Sequence, residues 1–215
     1  MNNNRKFFLG FAASLLCSFS LLITAAFPVL AHHPNGGAIP RNFTEGFLSG
    51  LGHPVIGIDH LVFVVAIGLL AALSFKRGII MPAIFVIATA LGTGIHLQGV
   101  NLPMPELVIA ASVLVIGIFL TQKNQASLIL LAVISAIAGI FHGYAYGESI
   151  VGAETTALGA YLLGFCGIQL AISAIAYYCG SKIVNQSSKS TLLLRFAGLI
   201  ISGIGFAFVS NLILS

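Results

Sequence analysis

Residues 52 to 75 read GHPVIGIDHLVFVVAIGLLAALSF, and two contrasting chemistries meet in them. From Leu61 to Phe75 the one polar side chain is Ser74, a composition suited to a helix in hydrocarbon. Directly before that run, Gly52-His53-Pro54-Val55-Ile56-Gly57-Ile58-Asp59-His60 places two imidazoles and a carboxylate within eight residues. Ionisable groups at the mouth of a membrane span are costly, and when present they face the bundle interior and mark a pathway or a site. On an unbroken helix His53 and His60 share a face but stand roughly 10 Å apart along the axis, too far for one metal ion. Either Pro54 and Gly57 distort the turn enough to converge them, or each serves a different position along an entry path.

Working outward, the whole chain has the same character. Of its 215 residues 58% are hydrophobic and 7% charged, against about 25% charged in an ordinary soluble domain. Long apolar runs with short polar breaks can satisfy their backbone in lipid only as helices or a closed barrel, and runs of about 20 residues select helices. The fold class expected is therefore an all-α membrane protein, a six-transmembrane-helix bundle left after removal of an N-terminal signal peptide.

Arg5 and Lys6 precede an apolar run from Phe7 to Phe27, and Val29-Leu30-Ala31 resembles a small-residue cleavage site. Residues 1–31 are thus expected to be a signal segment whose cleavage leaves His32 at the mature N-terminus. The run exceeds the usual length of such a segment, so an uncleaved first helix is the alternative. Residues 32–42, which include His33-Pro34-Asn35-Gly36-Gly37, form an extracytoplasmic segment. The membrane domain is residues 43–215, with spans at about Phe43–Phe75, Gly78–Leu97, Pro105–Thr121, Ser127–Tyr144, Thr155–Gly180 and Thr191–Ile213.

The basic residues report orientation, since short loops rich in Lys and Arg stay cytoplasmic. Lys76-Arg77, Lys123, and Lys182 with Lys189 fall in alternate connections, and Arg195 opens the last span on that side; Arg41 alone of the mature chain's basic residues lies opposite. Both mature ends are therefore expected outside, in the plasma (inner) membrane. The net charge of +4 forms no basic stripe, so nucleic acid is not an expected partner. Cys17, Cys166 and Cys179 lie inside apolar runs without CxxC spacing and read as small core residues. Gly198 with Ser202, and Gly164 with Gly167, suit close helix packing in lipid.

Placing the remaining ligand-type residues on this topology brings several to the outer end: His96 ends the second span, Glu106 opens the third, and His142 ends the fourth. Glu148 and Glu154 fall in the loop that follows, and a mature His32 beside His33 could capture an ion at the mouth. Neutral imidazole suits nickel, cobalt, copper and zinc, a carboxylate neutralises a divalent charge, and the lack of thiolate argues against a Cu(I) site. Each residue also has a plain structural role open to it. His96 and His142 can serve as interhelical hydrogen-bonding groups, Glu106 as a first-turn carboxylate favoured by the helix dipole, and Glu148 and Glu154 as solvated loop residues.

The segment His53-Pro54-Val55-Ile56-Gly57-Ile58-Asp59-His60, followed by an apolar run containing Gly68, resembles the His-Pro-x-x-Gly-x-Asp-His signature of the HupE/UreJ proteins. Leu102-Pro103 through Glu106, the stretch Ala110-Ala111-Ser112-Val113-Leu114-Val115-Ile116-Gly117, and Phe141-His142-Gly143 extend the resemblance over most of the mature chain. That family is associated with nickel uptake for hydrogenase and urease, and some members with cobalt. The resemblance implies a metal site of His53, Asp59 and His60, with His142 and Glu106 as further contributors. Many relatives read Phe-His-Gly-x-Ala-His-Gly, whereas Tyr146 stands here at the second histidine. A phenol is a poorer ligand than imidazole, so the fourth span contributes less or the metal preference differs.

The function expected is a permease for Ni2+ or Co2+, with His53, Asp59, His60, His142, Glu106, His96 and His32 as the metal-ligating candidates. No prosthetic group is expected; the partners are the transported ion, the lipid bilayer and, for a homo-oligomer, a second copy of the chain. The rival is a membrane-bound metal chaperone or assembly factor that holds an ion without moving it. An enzyme is not expected, because neither HExxH nor a nucleophile elbow is present, and no GxxxxGK[ST] loop supplies ATP hydrolysis.

Overall fold

The computed structural model describes residues 38–74, 78–186 and 191–214, and every regular element among them is helical. The helices are α1 (Phe43–Ile56), α2 (Ile58–Leu73), α3 (Ile80–Leu97), α4 (Pro105–Thr121), α5 (Leu128–Glu148), α6 (Thr155–Gln186) and α7 (Thr191–Leu214). The expected signal segment, His32, Lys76-Arg77 and Lys189 lie outside the described residues.

Local chemistry sets the starts. The Asn42 side chain accepts from the Glu45 amide at 2.9 Å, and Glu45 reaches back to the Arg41 amide at 2.8 Å, a reciprocal cap for α1. Pro105 opens α4, where its missing N–H has no cost, and the Ser127 hydroxyl accepts from the Leu130 amide to start α5.

By length and composition α3, α5, α6 and α7 can each cross a bilayer, and α1 with α2 makes a fifth crossing if the bent pair counts as one. The 17 residues of α4 sit at the short limit for a span. Apolar side chains face outward all around the bundle, among them Ile129, Ile175, Leu163 and Phe206. In water such a surface would be an aggregation liability; against acyl chains it is the correct exterior.

The expected first span, Phe43–Phe75, is two helices meeting at 78°. Pro54 has no N–H to continue the ladder, and Gly57 adopts an extended conformation (φ −70°, ψ 103°) that ends α1 and opens α2. Both halves follow the 32-residue α6, which is about 48 Å long at 1.5 Å per residue. Gly46 and Gly50 of α1 lie against the Ala157 and Tyr161 carbonyls, and Gly68 of α2 lies against the Ser173 carbonyl further along.

Two further seams use small residues in the same way. Gly139 and Gly143 of α5 fit onto Phe85 and Thr89 of α3, a register in which the two helices run parallel; Gly117 of α4 fits onto Ile201 and Ser202 of α7, and Gly198 onto Leu120, an antiparallel register. Without a hydrophobic drive between helices in lipid, this close backbone approach supplies the van der Waals attraction. Of the expected packing residues, Gly164, Gly198 and Ser202 lie in these seams, whereas a Cβ on Gly167 would meet open space.

The apolar core is built from Phe63, Ile67, Leu70, Met81, Phe85, Val113, Ile116 and Leu131, with a second cluster of Tyr146, Ile150, Tyr161 and Phe165. Arg195 donates from Nε to the Thr121 carbonyl at 2.7 Å, tying the end of α4 to the start of α7. That bond puts Arg195 and Lys123 at one end of the bundle, as the charge pattern requires.

A Cβ on Gly57 would lie 2.6 Å from His60 Cδ2 and 3.2 Å from Asp59 Oδ1. Gly57→Ala should therefore displace the His60 ring and destabilise the fold by about 1–3 kcal/mol through overpacking. A thermal melt of the detergent-solubilised protein measures this, and an unchanged midpoint would show that the bend tolerates a side chain.

Candidate metal centre

The bend at Gly57 converges the two motif histidines. His53 lies in the last turn of α1 and His60 in the first turn of α2, and their ring centroids are 5.6 Å apart. Of the two arrangements left open by the sequence, the distorted turn is the one adopted. Both rings are buried, and the Asp59 carboxylate, in the first turn of α2, accepts the His60 amide at 2.9 Å.

The third imidazole comes from α5. His142 is fully buried, with its Nδ1 2.7 Å from Nδ1 of His60 and the ring centroids 4.8 Å apart. It stands where four helices meet: Phe63 of α2 and Phe85 of α3 pack on its ring, and Ser112 of α4 lies 3.0 Å from its Nε2. The sequence places His142 at the end of a span finishing at Tyr144; α5 continues to Glu148, so the imidazole sits more than a turn inside its helix.

His53 is held at the other end of the series. Its Nδ1 is 2.9 Å from the Ser149 hydroxyl and 3.0 Å from the Tyr161 hydroxyl, and Tyr161 donates to the Tyr146 carbonyl at 2.9 Å. The Tyr146 ring packs edgewise on both His53 and His60, at 4.9 Å and 4.6 Å between centroids. Its hydroxyl is buried and has no hydrogen-bond partner among the described residues. Tyr146, at the position where the resemblance implies a second histidine, therefore borders the same cluster as a phenol.

The other candidates are placed elsewhere. Glu106 is exposed in the first turn of α4, about 9 Å along the axis from Ser112 at 1.5 Å per residue. His96, in the last turn of α3, packs on Tyr144 at 4.4 Å and against Gly147, its Nδ1 buried without a hydrogen-bond partner among the described residues. Glu148 and Glu154 are exposed. Among the described residues no three His, Cys, Asp or Glu side chains form a ready-made metal cage. What the fold assembles is a series of three rings, His53, His60 and His142, bracketed by hydroxyls.

Those hydroxyls, Ser112, Ser149 and Tyr161, are the residues that sequence reasoning missed as site members. Serine in a membrane helix commonly bonds its own backbone, so nothing local sets Ser112 apart. Removing one hydroxyl should show its contribution: Tyr161→Phe is expected to cost about 0.5–1.5 kcal/mol of stability, the net worth of a typical hydrogen bond. The check is a thermal melt of purified protein, and a stability equal to wild type would mean that the Tyr161 hydroxyl adds nothing to the hold on His53.

Residues 20–208 match the family model described as HupE / UreJ protein. The chain is also similar to the protein HupE of Rhizobium leguminosarum bv. viciae, with 32% identity over 165 residues, covering 76% of this chain and 81% of that one. No solved structure matches. A family match over most of the length, joined to a relative covered along most of its own length, places this chain in the HupE/UreJ family of multi-pass membrane proteins.

Proposed function

We propose that this protein is a permease that takes up a divalent transition metal ion, Ni2+ or Co2+, through a histidine and aspartate site near the outer face of the inner membrane. The observation that carries the reading is the convergence of His53, His60 and His142 in a buried series beside Asp59, drawn from α1, α2 and α5. Costly ionisable and imidazole groups grouped inside an apolar bundle are the pattern expected of a transport site.

In this reading residues 1–31 are a signal segment, His32 begins the mature chain outside, and six spans follow with α1 and α2 as one broken crossing. Broken helices at membrane depth are characteristic of transporters, where non-helical backbone lines a site. Glu106, His96 and His32 collect the ion at the outer mouth. His53, Asp59 and His60 partly dehydrate it, with His142 at the buried end of the series. A potential of about 100 mV, negative inside, favours entry of a divalent cation by roughly 4.6 kcal/mol, from about 2.3 per charge. Two or three imidazoles and one carboxylate bind the ion while letting it leave, as conduction requires.

Uptake of radiolabelled Ni2+ and Co2+ by vesicles containing the purified protein tests the proposal. Accumulation inside is expected; binding without accumulation would instead identify a metal chaperone or assembly factor. His60→Ala should lower uptake at least tenfold with the protein still inserted. Asp59→Asn keeps an oxygen that can accept the His60 amide but removes the charge, and should do the same with little change in melting temperature. Wild-type uptake by both variants would remove the site from the transport path.

Tyr146→His should strengthen binding of Ni2+ about tenfold or more, because an imidazole replaces the phenol that borders His53 and His60. Calorimetric titration measures the change, and unaltered affinity would place position 146 beyond reach of the ion.

A further inference from the structure

Helix α6 supplies no histidine or carboxylate, yet Tyr161, Phe165, Gln169 and Ser173, each four residues from the last, are all buried on one of its faces. Three of them touch groups already described. Tyr161 meets His53, Phe165 packs on Tyr146 at 5.2 Å between ring centroids, and the Ser173 carbonyl lies against Gly68 of α2. Further on, Gly180 lies against Ala72, so α2 and α6 run in the same direction. Gly68 is eight residues on from His60, and Gln169, one turn before Ser173, therefore stands between the level of His60 and that of Gly68.

The fully buried amide of Gln169 is only half satisfied. Its Nε2 donates to the Phe165 carbonyl at 3.0 Å and reaches Thr89 Oγ1 of α3 at 3.4 Å. The Thr89 hydroxyl gives its own hydrogen to the Val86 carbonyl, so toward Gln169 it accepts. Turning the amide over would set its oxygen 3.0 Å from the Phe165 carbonyl oxygen with no hydrogen between them, so these contacts fix which end is which. Oε1 is left buried, with no hydrogen-bond partner among the described residues. A glutamine can join two membrane helices by a hydrogen bond, but stranding its carbonyl costs more than one such bond returns. Lone acceptors of this kind concentrate where a ligand supplies the missing bond. Tyr146 Oη is in the same condition, and its ring packs on both His60 and Phe165, which links the histidine series to the face that carries Gln169.

We infer that the side-chain carbonyl of Gln169 is a second binding station for the transported divalent cation, inward of the histidine series. The inference rests on the permease reading and on its orientation, in which α6 runs from the outer face toward the inner one. An amide carbonyl replaces a water of the ion's hydration shell without adding charge. It also holds Ni2+ or Co2+ more weakly than imidazole does. A weak neutral oxygen placed after the imidazoles suits an ion that has to leave, and the membrane potential draws the ion in that direction. One turn further, the Ser173 hydroxyl gives its hydrogen to the Leu170 carbonyl at 3.2 Å, so toward an ion it too is an oxygen acceptor.

The test uses Ni2+ and the full-length protein, in vesicles for uptake and in detergent for binding and melting. Gln169→Leu removes the carbonyl and keeps an apolar side chain of similar bulk. It should lower Ni2+ uptake about tenfold or more while Ni2+ affinity at the histidines stays within about twofold of wild type. Its melting temperature should hold or rise, because no stranded oxygen remains. A residue needed only for packing would lose melting temperature and uptake together, and that result would overturn the inference, as would wild-type uptake by the variant. Gln169→Glu supplies an independent measurement. A carboxylate at the station should retain a second Ni2+ that the wild-type protein does not hold, seen as one additional equivalent in calorimetric titration. An unchanged stoichiometry would place position 169 out of reach of the ion and overturn the inference. If the wild-type protein itself accumulates no Ni2+, the permease reading fails and the inference falls with it; accumulation by wild type and Gln169→Leu alike strikes the inference alone.

Discussion

The break between α1 and α2 is the constraint on which the site depends. A continuous helix would hold His53 and His60 about two turns apart, and no side-chain rotamer closes that gap. Pro54 removes one rung of the ladder, Gly57 takes an extended conformation, and a 78° bend brings the rings to 5.6 Å. Glycine is required at the corner because the His60 ring and the Asp59 carboxylate lie where its side chain would be. The same bend exposes the amides at the start of α2, and the Asp59 carboxylate covers one of them.

Keeping several imidazoles inside an apolar bundle requires partners for their nitrogens, because an unsatisfied buried polar group costs about 1–3 kcal/mol. Ser112, Ser149 and Tyr161 meet that requirement, and each comes from a different part of the chain. The close seams between helices permit it. Gly143 brings the backbone of α5 against Thr89 of α3, and Thr93 then donates to the Gly143 carbonyl at 2.7 Å, fixing the helix next to His142. Phe63 and Phe85 complete the enclosure from the apolar side. The seams and the site are thus one packing problem, since a looser α3–α5 contact would leave His142 free to turn.

Tyr146 stands where the family resemblance implies a second histidine. The phenol packs edgewise on both His53 and His60, and its buried hydroxyl finds no hydrogen-bond partner among the described residues. Such a group is a standing cost in an apolar interior, and polar groups of this kind concentrate where a ligand or water can supply the missing bond. A phenol oxygen is harder and less basic as a neutral donor than imidazole, so in the proposed reading Tyr146 would alter the ligand field available to an ion bound by the two neighbouring histidines.

Membrane residence, helical class and the identity of the central motif were legible in the sequence, because each depends on local composition: apolar runs can satisfy their backbone in lipid only internally, and His53, Asp59 and His60 are close in the chain. Pro54 and Gly57 announced a distortion but not its angle, since a bend of any size removes the same local bonds. His142 was visible as a candidate, yet its pairing with His60 spans 82 residues and depends on the register of α5 against α2 and α3. Ser112 and Tyr161 could not be singled out, as hydroxyls are common in membrane helices and only packing decides which of them meets an imidazole. Glu106 and His96 point the same lesson from the other side: chain topology put them at the outer end with the rest, but the helix faces they occupy, which only the assembled bundle decides, turn them away from the buried series.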